Sequence, residues 1–328
     1  MRLRNQPANC VQLVAVLIVS FLAARAEAQV INISQNYTFT TVDVPGATVT
    51  LVFGINDSGQ IVGSYVDVTG TQHGFTKYGA VITLTDIAGA TLTESNGINN
   101  AAQIVGGHDL GGGRHGHLKT GPVFVQLDHP GATFTEAIGV NNLGQTVGAR
   151  GTLGGQGGFL WTSGVFQTID VPGATVTNAF GINDAGLIVG RFGSPGFRYG
   201  FLKSGSTFTT IDVPGAINTS AIAINDSGVI AGAFVDSGGV EHGFVKTGSS
   251  FGKVDVPGAV ITDIFGINDS GQIVGFYFDS TAGLHGFIAT PLSLVPTMSQ
   301  WMLMILALVL ATMGAFMSRR SEVSSIGF

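Results

Sequence analysis

From Tyr37 to Pro291 short apolar runs alternate with glycine- and asparagine-bearing turns, and the whole pattern recurs six times at a spacing of 42 or 43 residues. Each period predicts four strands, written for the last one as Thr262 to Asn268, Gln272 to Phe278, His285 to Ala289 and a segment of the Phe-Thr-Thr-Val-Asp type. The alternating fourth segment ends in aspartate at Asp43, Asp86, Asp128, Asp170, Asp212 and Asp255. Thirteen residues later stands an asparagine, at Asn56, Asn99, Asn141, Asn183, Asn225 and Asn268. Seven residues further on comes a glycine of Ile-Val-Gly type, at Gly63, Gly106, Gly148, Gly190, Gly232 and Gly275. Asn-Asp-Ser-Gly between the first two strands reads as a tight hairpin turn, because Asn, Asp and Gly tolerate the positive φ it needs. A repeat of this length made of short strands predicts an all-β propeller of six blades.

The phase of the repeat predicts how the ring closes. The longest constant connection runs from the aspartate through Val-Pro-Gly-Ala, which makes it the crossing between blades and places Phe-Gly-Ile-Asn on the innermost strand. The sixth blade then has three strands, ending at Ala289, while Tyr37 to Asp43 is a strand without a blade. Pairing of the two leaves no open edge, whereas an open β-solenoid would need caps and leaves both remnants unexplained.

The chain ends have a different composition. Residues 1–28 read as a secretory signal, with Arg2 and Arg4, an apolar run from Val11 to Leu22, and Ala26-Glu27-Ala28 as a small-residue cleavage site. The only cysteine, Cys10, lies within it, so the region beyond carries no disulfide or thiolate ligand. Residues 29–290 form the repeat array, 291–300 a linker, 301–318 an apolar segment long enough for a transmembrane helix, and 319–328 a basic tail opening with Arg319-Arg320. The array carries 9 Lys and Arg against 18 Asp and Glu, a net of −9, which argues against nucleic acid as a partner.

Residues repeated in all six units at one phase read first as architecture. The crossing aspartates and those of Asn-Asp-Ser-Gly (Asp57, Asp184, Asp226 and Asp269) are expected to accept hydrogen bonds in turns. One aspartate per turn falls short of the roughly six to eight oxygens that calcium takes. His73, His115, His242 and His285 precede the third-strand glycine and are read as structural, since no serine or cysteine shares their spacing. The second repeat departs from the others: Gly107-His108-Asp109 leads to Arg114-His115-Gly116-His117, and His108, His115 and His117 form a candidate three-nitrogen metal set.

The repeats also differ in the loop between the second and third strands. It is longer in the first, fifth and sixth units, which share Asp67, Asp236 and Asp279, and shorter in the other three, which hold Arg114, Arg150, Arg191 and Arg198, every arginine of the array. One face is therefore expected to be half acidic and half arginine-bearing, and the four arginines are the candidate ligand-binding residues for a carboxylate, phosphate or acidic glycan.

The order Asp-Val-Pro-Gly-Ala, Gly-Ile-Asn-Asp-Ser-Gly-Gln-Ile-Val-Gly and His-Gly-Phe, the last at His73-Gly74-Phe75, His242-Gly243-Phe244 and His285-Gly286-Phe287, resembles the bacterial extracellular repeat family of the HAF type. That resemblance implies export and supplies no catalytic residues. Val295-Pro296-Thr297-Met298, with Trp301 and the Arg319-Arg320 pair, resembles the IPTL-type C-terminal sorting domain, although Val295 and Met298 depart from its pattern. It implies recognition by an exosortase-type membrane enzyme at the cell envelope. Together these features point to an exported, non-enzymatic binding or adhesion scaffold for an acidic glycan or another envelope protein, held at the membrane through the C-terminal helix and without a required cofactor. The alternative is a propeller hydrolase or lyase using the central channel or a metal near the second repeat. An enzyme of that kind should break the inner-strand pattern with a mixed polar set, and Gly-Ile-Asn, Gly-Val-Asn or Ala-Ile-Asn persists in every unit.

Overall fold

Val, Ile, Thr and Phe dominate the segments between turns and fit the pleated, half-buried surface of a sheet. The computed structural model describes residues 30–194, 196–292, 304–306, 308 and 310, and is all-β apart from a short 3₁₀ turn at Ser34–Asn36 and the helical positions after 303. The chain divides into two compact units, one ending at Thr290 and one beginning at Pro291. The expected signal and the sorting residues Val295, Pro296, Thr297, Met298, Trp301, Arg319 and Arg320 lie outside the described residues, as does most of 301–318. Among the described residues no helix is long and apolar enough to cross a membrane.

In the first unit the strands run Val49–Ile55, Ile61–Val66, Gln72–Tyr78 and Val81–Leu84, each antiparallel to the next. The same order recurs behind the inner strands Leu92–Ile98, Thr135–Val140, Val176–Ile182 and Asn218–Ile224. The last unit has Ile261–Ile267, Ile273–Phe278 and Leu284–Pro291, and its fourth strand is Tyr37–Val42 from the start of the array, as the two remnants require. Two pairings were not legible in the repeat. Ile31–Asn32 runs parallel to Ser250–Val254 as a fifth strand, and a bridge between Gln156 and Val176 joins the third and fourth units.

The inner strands meet around an axis, which explains two invariant small residues. A Cβ on Gly97 would lie 2.6 Å from the carbonyl oxygen of Ile138 in the next unit, so backbone packs against backbone there. A Cβ on Gly106 would lie 1.8 Å from the carbonyl oxygen of Glu94, the paired inner strand, so the Ile-Val-Gly glycine lets the two strands close up. Just ahead of the axial glycine every inner strand carries a bulge, and the extra residues are Phe53, Asn96, Ile138, Phe180, Ile222 and Phe265.

Two closed hydrogen-bond rings hold the turn end of this axis. The Nδ2 of each repeat asparagine donates to the carbonyl of the next: Asn56 to Asn99, Asn99 to Asn141, Asn141 to Asn183, Asn183 to Asn225, Asn225 to Asn268, and Asn268 back to Asn56, at 2.9–3.2 Å. The following residues repeat the circuit, since the backbone N–H of Asp57 donates to Asn100, Asn100 to Asn142, Asn142 to Asp184, Asp184 to Asp226, Asp226 to Asp269 and Asp269 to Asp57. The Oδ1 of Asn141 also accepts the N–H of Gln145 within its own turn. One side chain thus shapes its hairpin and joins it to the neighbour.

At the opposite end the crossing is held by threonine rather than by the aspartate alone. Thr50, Thr93, Thr135, Thr177, Thr219 and Thr262 accept the N–H of the residue after each crossing aspartate at 2.9–3.1 Å. Between units the core is layered around one fully buried phenylalanine per unit, Phe75, Phe159, Phe201, Phe244 and Phe287, with His117 in that place in the second. Each such burial contributes about 1.5–3 kcal/mol.

Asn141→Asp keeps an acceptor for Gln145 and removes the donor to Asn183, so it should destabilise the fold by about 1–3 kcal/mol. Thermal unfolding at pH 7 checks this, and a midpoint equal to that of the parent chain would show the ring to be dispensable.

Candidate functional site

The six bulged side chains line a narrow stretch of the axis of about 80 Å³, beyond which lies a smaller space of about 70 Å³ bounded by the asparagine turns. Towards the crossing face the axis widens into a cavity of about 420 Å³. Its floor is made by Phe53, Phe180, Phe265, Ile138, Ile222 and Asn96, and its walls hold Glu94, Glu136, Asn178, Ser220, Asp263, Gln156, Arg191, Arg198 and Glu241. Those wall residues of the inner strands stand two positions before the bulge and share its face.

The mixed polar set that the enzyme alternative calls for is therefore present, at the end of the inner strand away from Gly-Ile-Asn. Five residues ahead of the repeat asparagine the units carry Leu51, Glu94, Glu136, Asn178, Ser220 and Asp263 in turn, each following the invariant threonine. The signal lies in that one column, where the side chain changes from unit to unit beside constant neighbours.

The four arginines divide into two kinds. Arg114 pairs with Glu94, with Asp109 at 3.3 Å and with Glu136 at 3.1 Å, and Arg150 pairs with Asp170 at 2.8 Å. Arg191 and Arg198 line the cavity, and among the described residues neither has a carboxylate within 4.0 Å. The guanidinium of Arg191 lies over Phe180 at 5.3 Å. Burial lowers the pKa of Arg191, and the charge of Arg198 beside it acts in the same direction. The expected arginine half-face is thus corrected: two arginines are consumed by carboxylates that no loop pattern revealed, and two remain at the axis. The acidic half-face is likewise closed, because Asp67, Asp236 and Asp279 accept backbone N–H groups of their own turns.

Among the described residues Arg191 and Arg198 share the cavity with the carboxyls of Asp263 and Glu241 without forming an ion pair with them. Burial pushes the Asp263 carboxyl up to about 7, with the neighbouring Glu241 adding to the effect. Burial also raises Glu136, against the pull of Arg114. Three buried atoms on these walls lack any hydrogen-bond partner: Nε of Arg191, Oδ1 of Asn178 and Oδ1 of Asp263. Unpartnered buried polar atoms cost about 1–3 kcal/mol each, and native proteins keep few of them.

The repeated histidines are structural, as read, and each bridges two elements. His73 Nδ1 lies 2.7 Å from Asp86 and His285 Nδ1 lies 3.0 Å from Asp43, so the latter pair spans the closure of the ring. In the third unit Gly157 replaces the histidine, and Arg150 supplies the cation to Asp170 instead. The Asp86 hydrogen bond raises His73 against its burial, and for His285 burial is outweighed by Asp43 and Asp279. A raised histidine stabilises the fold below its unfolded value, and that contribution is lost as pH rises through the raised one.

The candidate metal triad does not assemble. His108 does face His115 across the strand pair, and the ring centroids of His108 lie 5.6 Å from His115 and 5.4 Å from His117. His115 is engaged by Asp128 at 2.8 Å and by the carbonyl of Leu110 at 3.2 Å. Among the described residues no group of three His, Cys, Asp or Glu is placed to hold a metal ion. His108 and His117 instead occupy aromatic positions: His108 aligns with Tyr65, Phe192, Phe234 and Tyr277, and His117 with the buried phenylalanines. All four of their ring nitrogens are buried without a partner. Burial pushes His117 down to about 3, with His108 adding to it, and burial also lowers His108.

No family model matches the chain, and no curated protein matches it. Solved structures similar to it include a streptogramin B lyase, at 10% identity and TM-score 0.44 over 79% of this chain and 89% of that one. A mutant Aleuria aurantia lectin in complex with Fucalpha1-6GlcNAc gives 11% and 0.48 over 76% and 93%. A putative gluconolactonase gives 11% and 0.48 over 82% and 96%. The fold assignment rests on the strand pairing and the closed rings described above.

A lowered histidine pKa means that stability is lost as pH falls from about 6.5, the ordinary value, towards the depressed one. His117→Phe should therefore raise the thermal midpoint at pH 7 and flatten the loss of stability between pH 6.5 and 4. A lower midpoint in the phenylalanine variant at pH 7 would show that the imidazole is needed where it stands.

Proposed function

We propose that this chain is an exported six-bladed β-propeller of the HAF-repeat type that serves as a non-enzymatic binding scaffold, with an acidic glycan as ligand in the axial cavity. The observation that carries the reading is the pair Arg191 and Arg198, two adjacent guanidinium groups on the cavity wall with no carboxylate partner among the described residues. Guanidinium groups bind carboxylates by paired, charge-assisted hydrogen bonds. The floor adds apolar rings and the walls add amide and carboxyl groups, the mixture that suits a sugar with polar edges and an apolar face. The envelope destination rests on the signal at 1–28 and on Val295-Pro296-Thr297-Met298, Trp301 and Arg319-Arg320, with an exosortase-type enzyme as processing partner.

A second reading, a hydrolase or lyase acting in the same channel, is favoured by the Asp263 and Glu241 carboxyls, because a carboxyl whose pKa is raised to about 7 is suited to proton transfer. Turnover of the bound glycan, abolished in Asp263→Asn, would decide for it.

Retention on an immobilised polyuronate tests the binding reading. Arg191→Gln and Arg198→Gln should each weaken retention about tenfold, the discrimination of one charge-assisted contact. Arg150→Gln, whose guanidinium is held by Asp170, should leave it unchanged. Equal retention in all three variants would sink the assignment.

A further inference from the structure

The axial cavity has a direction as well as a volume. Arg191 and Arg198 come from the fourth unit, Glu241 from the fifth and Asp263 from the sixth, so the positive and the carboxyl-bearing walls are distinct sectors of one ring. Glu241 is close enough to act on the charge of Arg191, yet it forms no ion pair with it, whereas Arg114 and Arg150 each meet carboxylates. The unpartnered atoms are matched to this division, a donor at Arg191 Nε and acceptors at Asn178 Oδ1 and Asp263 Oδ1.

We infer that the cavity takes a single terminal residue of an acidic glycan, its carboxylate held between Arg191 and Arg198 and its ring hydroxyls donating to Asp263 and Asn178. The inference rests on the acidic-glycan reading and adds which part of the polymer is bound. A hydroxy acid supplies a carboxylate together with hydroxyl donors spread around a ring, so one small ligand can reach both walls, which a neutral sugar without an anion does not. The space also selects an end. A cavity of about 420 Å³ sits at the small end of the ligand pockets of about 300–1,000 Å³, and below it the axis shrinks to about 80 Å³ at the ring of bulged residues. Below the floor the space falls to about a fifth of the cavity's, so a sugar seated on the floor is the terminal residue of a chain that enters from the crossing face. Electrostatics points the same way: residues 29–290 carry 9 positive against 18 negative groups, so a polyanion lying across the surface is repelled and attraction is local to the two arginines.

Isothermal titration of the full chain with free glucuronate, glucose and a polyuronate separates the possibilities. Glucuronate should bind at one site per chain and displace the polymer, and glucose should give no signal. Arg191→Gln and Asp263→Ala should each weaken glucuronate at least about tenfold, the former by loss of the carboxylate contact and the latter by loss of a hydroxyl acceptor. If the polymer binds while glucuronate neither binds nor competes, the terminal-residue inference fails and the acidic-glycan reading stands. If neither binds, both fall. If Asp263→Ala binds glucuronate as the parent does, the two-walled recognition is wrong. Competition by glucuronate on the unaltered chain decides the matter even where a variant does not fold.

Discussion

Six inner strands converge on one axis, and the backbone groups they bring there are beyond the reach of their own sheets. The asparagine ring answers that constraint. Each Nδ2 satisfies the carbonyl of the next unit, and the last bond, from Asn268 to Asn56, makes the circuit continuous. A buried carbonyl left without a donor costs about 1–3 kcal/mol, so six of them would consume most of the stability of an ordinary domain. The glycine before the asparagine follows from the same approach. A side chain larger than a methyl there would press on the backbone of the next unit, and only the fifth unit, with Ala223, departs from glycine.

The ring also decides where variation is permitted. At the turn end every unit must offer the same asparagine in the same register, so that end is uniform. The bulge beyond the glycine turns one side chain per unit towards the axis, and from there outward the strands diverge and the constraint lapses. The column Leu51, Glu94, Glu136, Asn178, Ser220 and Asp263 is the result, a different side chain in each unit on a constant scaffold. The variable side chains, on this architecture, belong to the crossing end of the axis.

Charge and aromatic positions follow a comparable economy. The crossing aspartate needs a cationic or donor partner, which is histidine in four units, Arg150 in the third and the hydroxyl of Thr219 in the fourth. Arg150 and Gly157 are thus one exchange made at two positions, since a Cβ at 157 would lie 2.7 Å from the Arg150 guanidinium. The second unit makes the opposite kind of exchange, placing His117 where the other five keep phenylalanine and His108 where four of them keep an aromatic ring, and burial disfavours the charged form of both.

The sequence by itself determined the period, the four-strand unit, the phase, and the closure of the sixth unit by Tyr37–Val42, because each is a local pattern repeated often enough to exclude accident. It also carried the division between structural and variable residues, including the structural reading of the repeated histidines. What it could not carry was pairing across units. Glu94 and Asp109 claim Arg114 from one unit and Glu136 from the next, Asp170 claims Arg150, and Asp263 and Glu241 meet across two units, at sequence separations that no motif records. Arg191 and Arg198 stand out from the other two arginines only once those contacts exist. A repeat specifies its own strands through local periodicity, but which charges are neutralised depends on distances set by the closing of the ring, and that is a property of the tertiary structure alone.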